Sequence, residues 1–280
     1  MVSYIIVTYN TRDLTVNAVE SLFKHCSDLE VIVVDNGSKD ETVEALNERF
    51  KEEIKNKSLI VLDTKENNGF SKGNNIGAAV ASGEYFVFIN PDTVTQSDLS
   101  KELIEPLMGK YKNKDVIAGP KILNPDLTNQ HSVNSFPIRS LHLYVRHFTN
   151  KLGKNKKIQS VDWLTGVCYA MKKETFDKCH GWNEEYDLYS EDLDFCYRVK
   201  KQLKGKVIIL NDVKLVHYGN QSGKQVYKTS FASYEKKTNA LRKFYQIYFN
   251  DQKFHKWLKF LYKHDQNENL KEYLDKYYGG

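Results

Sequence analysis

Glu84-Tyr85-Phe86-Val87-Phe88-Ile89-Asn90-Pro91-Asp92-Thr93 is an apolar run that stops abruptly at a carboxylate. From Tyr85 to Ile89 every side chain is aromatic or β-branched, so the stretch reads as a strand buried on both faces, as a parallel sheet requires. Pro91 has no N–H to give to a sheet ladder and holds the residue before it extended, so the strand ends there. Asp92 then lies just past its carboxyl end. In open α/β sheets that edge is where ligands bind. A carboxylate so placed is able to hold a divalent cation, and the cation a phosphate. Taken alone, the segment from Asn90 to Thr93 reads equally as a turn closed by an Asx cap, so the neighbouring segments decide.

Those neighbours alternate strand and helix. Ser3-Tyr4-Ile5-Ile6-Val7 is a strand leading through Thr8-Tyr9-Asn10 into an amphipathic helix from Leu14 to Phe23. Glu30-Val31-Ile32-Val33-Val34-Asp35 is a second strand, followed by Asn36-Gly37-Ser38 and a helix whose start Ser38 and Glu41 mark at capping-box spacing. A third strand runs from Leu59 to Leu62. Asn67-Asn68-Gly69-Phe70-Ser71-Lys72-Gly73-Asn74-Asn75 then enters a helix reaching about Ser82. This alternation predicts a doubly wound sheet with right-handed crossovers, and it brings three loops and a glycine-rich helix entry to one edge. That is a nucleotide site in outline. Neither GxGxxG after the first strand nor GxxxxGK[ST] is present, which argues against the dehydrogenase and P-loop classes.

The ordered set Ile6-Val7-Thr8-Tyr9-Asn10, Val33-Val34-Asp35-Asn36-Gly37-Ser38, Asn67-Asn68-Gly69-Phe70-Ser71-Lys72-Gly73-Asn74 and Phe88-Ile89-Asn90-Pro91-Asp92 resembles the glycosyltransferase family 2 domain with its GT-A fold. The resemblance covers roughly residues 3 to 220, and within the family the wording is most like bacterial rhamnosyltransferases of surface polysaccharide synthesis. It implies a mixed, doubly wound sheet flanked by helices over residues 1–225, with a C-terminal helical appendage over 226–280. It implies that Thr8, Tyr9, Asn10 and Asp35 hold the base and ribose of a dTDP- or UDP-linked sugar. Asn67, Lys72, Asn90 and Pro91 would line the donor site, and Asp92 would hold Mn²⁺ or Mg²⁺. One departure is that Asn90 stands where the family often has a second acid. A diphosphate leaving group develops charge as the glycosidic bond breaks, and a cation together with N–H groups at a helix start stabilises it. Alone, Gly69 and Gly73 read as turn residues and Lys72 as a solvated lysine.

The second half carries the acceptor side. Val161 to Met171 reads as strand, with Trp163 and with Gly166 allowing close backbone approach. Gly181-Trp182 leads to Ser190-Glu191-Asp192-Leu193-Asp194, where Ser190 reads as an N-cap and the acids as complements to the helix dipole. By the family resemblance, Asp192 is the general base of an inverting transfer, Glu191 positions the acceptor, and Trp163, Gly166 and Trp182 line the acceptor site. A helix start is expected to lower these carboxylate pKa values. His217, after a strand at Val207 to Leu210, fits the place of a histidine completing the metal shell in related transferases.

Composition sets the remaining bounds. Hydrophobic residues make up 40% and charged residues 28% of the 280, no run reaches the length of a membrane span, and the start reads directly into a strand. The expectation is a cytoplasmic protein at the inner face of the cell membrane. Cys26, Cys168, Cys179 and Cys196 lack CxxC or zinc spacing and read as reduced core residues. Asn124 to about Ser160 reads as a long basic loop covering the acceptor side, with Arg139, Arg146, His147, Lys151, Lys154, Lys156 and Lys157. From Lys236 onward, basic residues alternate with Phe244, Tyr245, Tyr248, Phe249, Phe254, Trp257 and Phe260. This pattern suits either an anionic membrane surface or packing on the domain, and no nucleic-acid module accompanies it. The acceptor implied is a lipid-linked or polysaccharide glycan, with L-rhamnose from dTDP-rhamnose as the sugar. A nucleotidyltransferase and a catalytically silent glycan-binding subunit are the alternatives.

Overall fold

The computed structural model describes residues 1–137, 156–186, 188–219, 230–264 and 267–279. The first half runs β1 (Val2–Thr8), α1 (Arg12–His25), β2 (Leu29–Asp35), α2 (Thr42–Arg49), α3 (Lys51–Lys55), β3 (Leu59–Asp63), α4 (Gly69–Val80), β4 (Tyr85–Ile89), β5 (Thr93–Val94) and α5 (Leu99–Met108). The second half runs β6 (Val116–Leu123), β7 (Val133–Asn134), β8 (Ile158–Val161), β9 (Trp163–Leu164), β10 (Cys168–Lys172), α6 (Lys173–Lys178), α7 (Glu191–Lys201) and β11 (Lys206–His217). Helices α8 (Ser230–Tyr248), α9 (Asp251–His264) and α10 (Glu268–Tyr278) close it.

Nine strands form one mixed sheet in the order β3-β2-β1-β4-β10-β6-β11-β5, with β8 also paired to β11. β3, β2, β1 and β4 are parallel. β10 runs antiparallel to both β4 and β6. The chain turns from winding one way to the other between β1 and β4, so the crevice at their carboxyl ends is a topological switch point. Phe86, Val87, Phe88 and Ile89 are all buried, as a strand covered on both faces demands. Phe86 and Phe88 join the core under α4, α6, α7 and the tail helices, while Val87 and Ile89 join the core under α1, α2 and α5. Helix α4 lies directly on β1 because it is glycine there: a Cβ on Gly73 would stand 2.8 Å from Val7 Cγ1, and one on Gly77 2.6 Å from Ile5 Cγ2.

Two helix starts differ from expectation. Ser38 does not cap α2; its hydroxyl accepts the Asn10 N–H at 2.8 Å, and the helix begins at Thr42 after Glu41 in the left-handed region at φ 62°. Ser190 precedes α7 but makes no side-chain cap, and both Tyr189 (φ 73°) and Ser190 (φ 66°) are left-handed. Consecutive left-handed residues that are not glycine carry local strain, and here the strained pair delivers Glu191 and Asp192. The basic loop expected to cover the acceptor side lies mostly at 138–155, outside the described residues, as does the 225/226 boundary between the two expected units.

The tail helices pack on the rest of the chain. Phe244, Phe254 and Tyr273 are fully buried and belong to the same core as Trp182 and Phe195. Tyr197 of α7 meets Tyr248 at 4.5 Å and Phe244 at 5.2 Å between ring centroids. Burial of one large apolar side chain contributes about 1.5–3 kcal/mol, so a truncation before Lys236 strips away more than a marginally stable domain holds in reserve. Such a truncation is expected to yield insoluble or molten protein, read by circular dichroism and melting; a soluble product with a normal melt would show the tail to be an independent unit.

Candidate active site

The parallel strands deliver Thr8, Asp35 and Asn90 to one edge, with Thr8 and Asp35 opposite each other in register. The loops are laced together: Asn10 Oδ1 accepts the Lys39 N–H at 2.8 Å, and Asp35 Oδ2 accepts the Ser38 N–H at 2.8 Å. Asp35 Oδ1 and Asn36 Oδ1 are buried and have no partner among the described residues. Buried polar atoms are rarely left so, and both are acceptors at the carboxyl end of β2. Thr8 is different. Its hydroxyl is buried and taken up by Thr11 at 2.9 Å and Thr15 at 2.7 Å, so its side chain holds the start of α1. Tyr9 is half-buried, and Asn67 is exposed with its side-chain carbonyl turned onto the Gly69 N–H at 3.0 Å. Lys72 is an exposed residue of α4.

Asp92 follows buried Pro91 and is itself 7% exposed. The two-residue strand β5 pairs with the end of β11, Thr93 opposite His217, and this pairing sets His217 beside Asp92. His217 Nε2 lies 3.1 Å from Asp92 Oδ1, while Nδ1 lies 2.6 Å from Gln130 Oε1. The glutamine oxygen only accepts, so Nδ1 carries a proton and Nε2 is the atom that faces the carboxylate. Two lone-pair atoms that close need a proton or a cation between them. Two neighbouring ligands of an octahedral cation, each about 2.1 Å from it, stand about 3 Å apart, so the pair fits Mn²⁺ or Mg²⁺. Among the described residues no set of three or more His, Cys, Asp or Glu gathers for a metal.

The carboxylates of Glu191 and Asp192 come to the same edge. Asn90 donates its N–H to the Val167 carbonyl at 2.9 Å, and Gly166 donates to Asp192 Oδ2 at 3.0 Å. The glycine lets the two segments lie close: a Cβ on Gly166 would approach Asp192 Cβ to 3.1 Å. Leu193 N–H donates to Asp192 Oδ1 at 2.7 Å. Burial pushes both carboxylates up, Asp192 to about 6 and Glu191 to about 8. Glu191 is pushed further because it feels burial and the charge of Asp192, while two N–H donors hold Asp192 back. Desolvation thus outweighs the helix dipole, reversing the sequence expectation. Glu191 Oε2 is buried with no partner among the described residues.

Trp182 does not face an acceptor from this position. It is 2% exposed, stacked on Tyr169 at 5.7 Å and edge-on to Phe88 at 5.4 Å, and Asn75 clamps its backbone through hydrogen bonds of 2.9 Å. Trp163 is half-buried, with its indole N–H on the Ser135 carbonyl at 3.1 Å. Sequence reasoning missed Gln130, the orienting partner of His217, which sits in an irregular stretch with no local signature. The four cysteines are free and buried.

The family model for glycosyl transferase family 2 matches residues 3–179, well over half of the chain. The chain belongs to glycosyltransferase family 2. The chain spans less than two thirds of the length of the first curated relative it matches. It is 26% identical over 208 residues to the low-salt glycan biosynthesis hexosyltransferase Agl10 of Haloferax volcanii, covering 71% of this chain and 62% of that one. It is 24% identical over 187 residues to rhamnosyltransferase WbbL of Escherichia coli K12, covering 61% and 68%. The GT-A architecture is shared with solved structures. They include GalNAc-T7 with UDP, GalNAc and Mn²⁺ (TM-score 0.62, 16% identity, 78% of this chain and 43% of that one) and Staphylococcus aureus TarS 1-349 in complex with UDP (TM-score 0.58, 16% identity, 95% and 72%). The family match ends before Glu191, Asp192 and His217, so their roles rest on geometry. Among the described residues no helix is long and apolar enough to cross a membrane.

Proposed function

We propose that the protein is an inverting, metal-dependent hexosyltransferase that moves a sugar from a dTDP- or UDP-linked donor to a hydroxyl of a lipid-linked or polysaccharide acceptor. The observation that carries this is the meeting at one sheet edge of two differently built acidic centres, Asp92 with His217 and Asp192 with Glu191. Asp35 and Asn36 offer unpaired acceptors to the N–H groups of a pyrimidine base or the hydroxyls of a ribose. Asp92 and His217 would hold the divalent cation, which when bound neutralises charge on the departing diphosphate. Asp192, ionised near neutral pH and pinned by Gly166 and Leu193, takes the proton of the attacking hydroxyl. Glu191, still protonated at that pH, donates a hydrogen bond that orients the acceptor. Base and leaving group on opposite faces of the sugar give inversion. The WbbL relative favours L-rhamnose from dTDP-rhamnose as the first sugar to try.

A thermal-shift screen tests this reading: dTDP or UDP with Mn²⁺ or Mg²⁺ is expected to stabilise the protein, and either component alone much less. Release of pyrophosphate from a sugar phosphate and a nucleoside triphosphate would instead support a nucleotidyltransferase. Binding of glycan without nucleotide would support a silent subunit. Asp92→Ala or His217→Ala is expected to weaken metal-dependent nucleotide diphosphate binding by at least about ten- to a hundredfold, the loss that even outer-sphere partners of a metal cause. Calorimetry with and without Mn²⁺ reads it, and unchanged metal dependence in both variants would remove the pair from the metal site.

A further inference from the structure

Helix α9 buries Phe254 and Leu258 against the rest of the chain. At about 100° per residue, Lys253, Lys256, Lys259 and Lys263 fall within an arc of about 120° opposite those two. All four lysines are exposed, and the one other fully exposed residue among those described on α9 is Gln252. Asp251, the helix's one acid, is held by Arg242 at 2.5 Å. The adjacent helix α10 is built the other way: its exposed face mixes Glu268, Glu272 and Asp275 with Lys271 and Lys276. A face that serves only solubility is met by such alternation. A face of one sign, kept clear of acids over more than two turns, attracts an extended anionic surface.

We propose that this lysine face docks the protein on an anionic lipid bilayer. The bilayer is favoured over a nucleic acid because the lysines lie along one face of a packed helix while Phe254 and Trp257, the rings on which bases would stack, are turned into the core. The aromatic residues that from sequence alone suited membrane insertion are the ones packed into the core: Phe254 is fully buried, and Trp257 lies 6.1 Å from both Phe254 and Tyr245. Contact is therefore electrostatic and shallow. It brings the transferase to the surface where a lipid-linked acceptor would be found, although the docking argument stands whether or not that acceptor is the right one.

Flotation with phosphatidylcholine vesicles, with and without phosphatidylglycerol, tests the proposal on the full chain. Each lysine near an anionic surface contributes about fivefold to partitioning, so K253Q/K256Q/K259Q/K263Q is expected to lower it by several hundredfold. High salt is expected to release the wild type to the same extent. A control carrying the same loss of charge elsewhere, K24Q/K51Q/K55Q/K201Q, is expected to float nearly as well as wild type. Melting curves and dTDP or UDP binding should be the same in all three proteins, which separates a failure of docking from a failure of the transferase reading. Equal flotation of the two quadruple variants, flotation that ignores salt or phosphatidylglycerol, or capture by single-stranded DNA without capture by vesicles would each overturn the proposal.

Discussion

Replacing Asp192 by Asn is expected to slow sugar transfer by about a hundred- to ten-thousand-fold, the usual cost of losing a general base, while leaving donor affinity nearly intact. The amide keeps the shape of the carboxylate and its oxygen can still accept from Gly166 N–H, but it cannot take the acceptor's proton. The loss should therefore fall on kcat, with the donor's KM little changed. The pH profile of the wild type carries the same signature. Activity should rise as the pH passes about 6 and fall beyond about 8, the two limbs being the successive proton losses of the Asp192–Glu191 pair. Transfer by Asp192→Asn at close to the normal rate, or a product that keeps the donor's anomeric configuration, would sink the assignment.

Glu191→Gln should act on acceptor KM and also on stability. The folded chain keeps the Glu191 proton up to about pH 8, whereas the unfolded chain gives it up in the ordinary carboxylate range. A group whose folded pKa is raised contributes stability that is present at low pH and lost as the pH climbs through that window. Glutamine has no proton to lose, so the variant is expected to melt higher than wild type, with the gap widest above pH 8. Melts across a pH series would read it, and identical curves would mean that Glu191 is solvated.

The left half of the sheet was legible because its signals are local. β4 needs only an unbroken apolar run and a proline to be recognised, and β1 and β2 end in residues whose backbone pairing follows from the parallel register. The meeting of Asp92 and His217 was legible through family resemblance alone, since it depends on β5, a strand of two residues that has no periodicity to read. The antiparallel direction of β10 is likewise unwritten locally; it depends on where the chain returns to the sheet. Trp182 shows a different limit. An aromatic residue ahead of an acidic motif looks the same whether it stacks on a sugar or, as here, on Tyr169. Ser38 and Ser190 had cap-like spacing, but a residue in the left-handed region stands at each helix start, and neither hydroxyl caps. The pKa order of Glu191 and Asp192 followed from burial and from the Gly166 N–H, neither of which spacing reveals.

Asp194→Ala is expected to destabilise the protein by about 3–5 kcal/mol, the cost of leaving a buried charge without its partner. Asp194 is fully buried; its Oδ2 accepts from Arg198 Nε at 2.7 Å and its Oδ1 from the Tyr248 hydroxyl at 2.7 Å. Arg198 in turn donates to the Gly181 carbonyl at 2.8 Å and to the Cys179 carbonyl. One carboxylate thus ties the first turn of α7 to the Trp182 loop on one side and to tail helix α8 on the other. With the alanine, the guanidinium remains buried against two carbonyls with its charge uncompensated, and Tyr248 loses its acceptor. Asp194→Leu with Arg198→Met removes both charges and should recover part of the loss, because the desolvation cost goes with them. Tyr248→Phe takes away one hydrogen bond to a charged group and should cost about 1.5–3 kcal/mol. Urea titrations of the four proteins give the comparison, and a loss below about 1 kcal/mol for Asp194→Ala would mean that water reaches the pair. Since Asp192 and Asp194 share the first turn of α7, Tyr248→Phe should also lower kcat in the folded protein if, as proposed, Asp192 is the base.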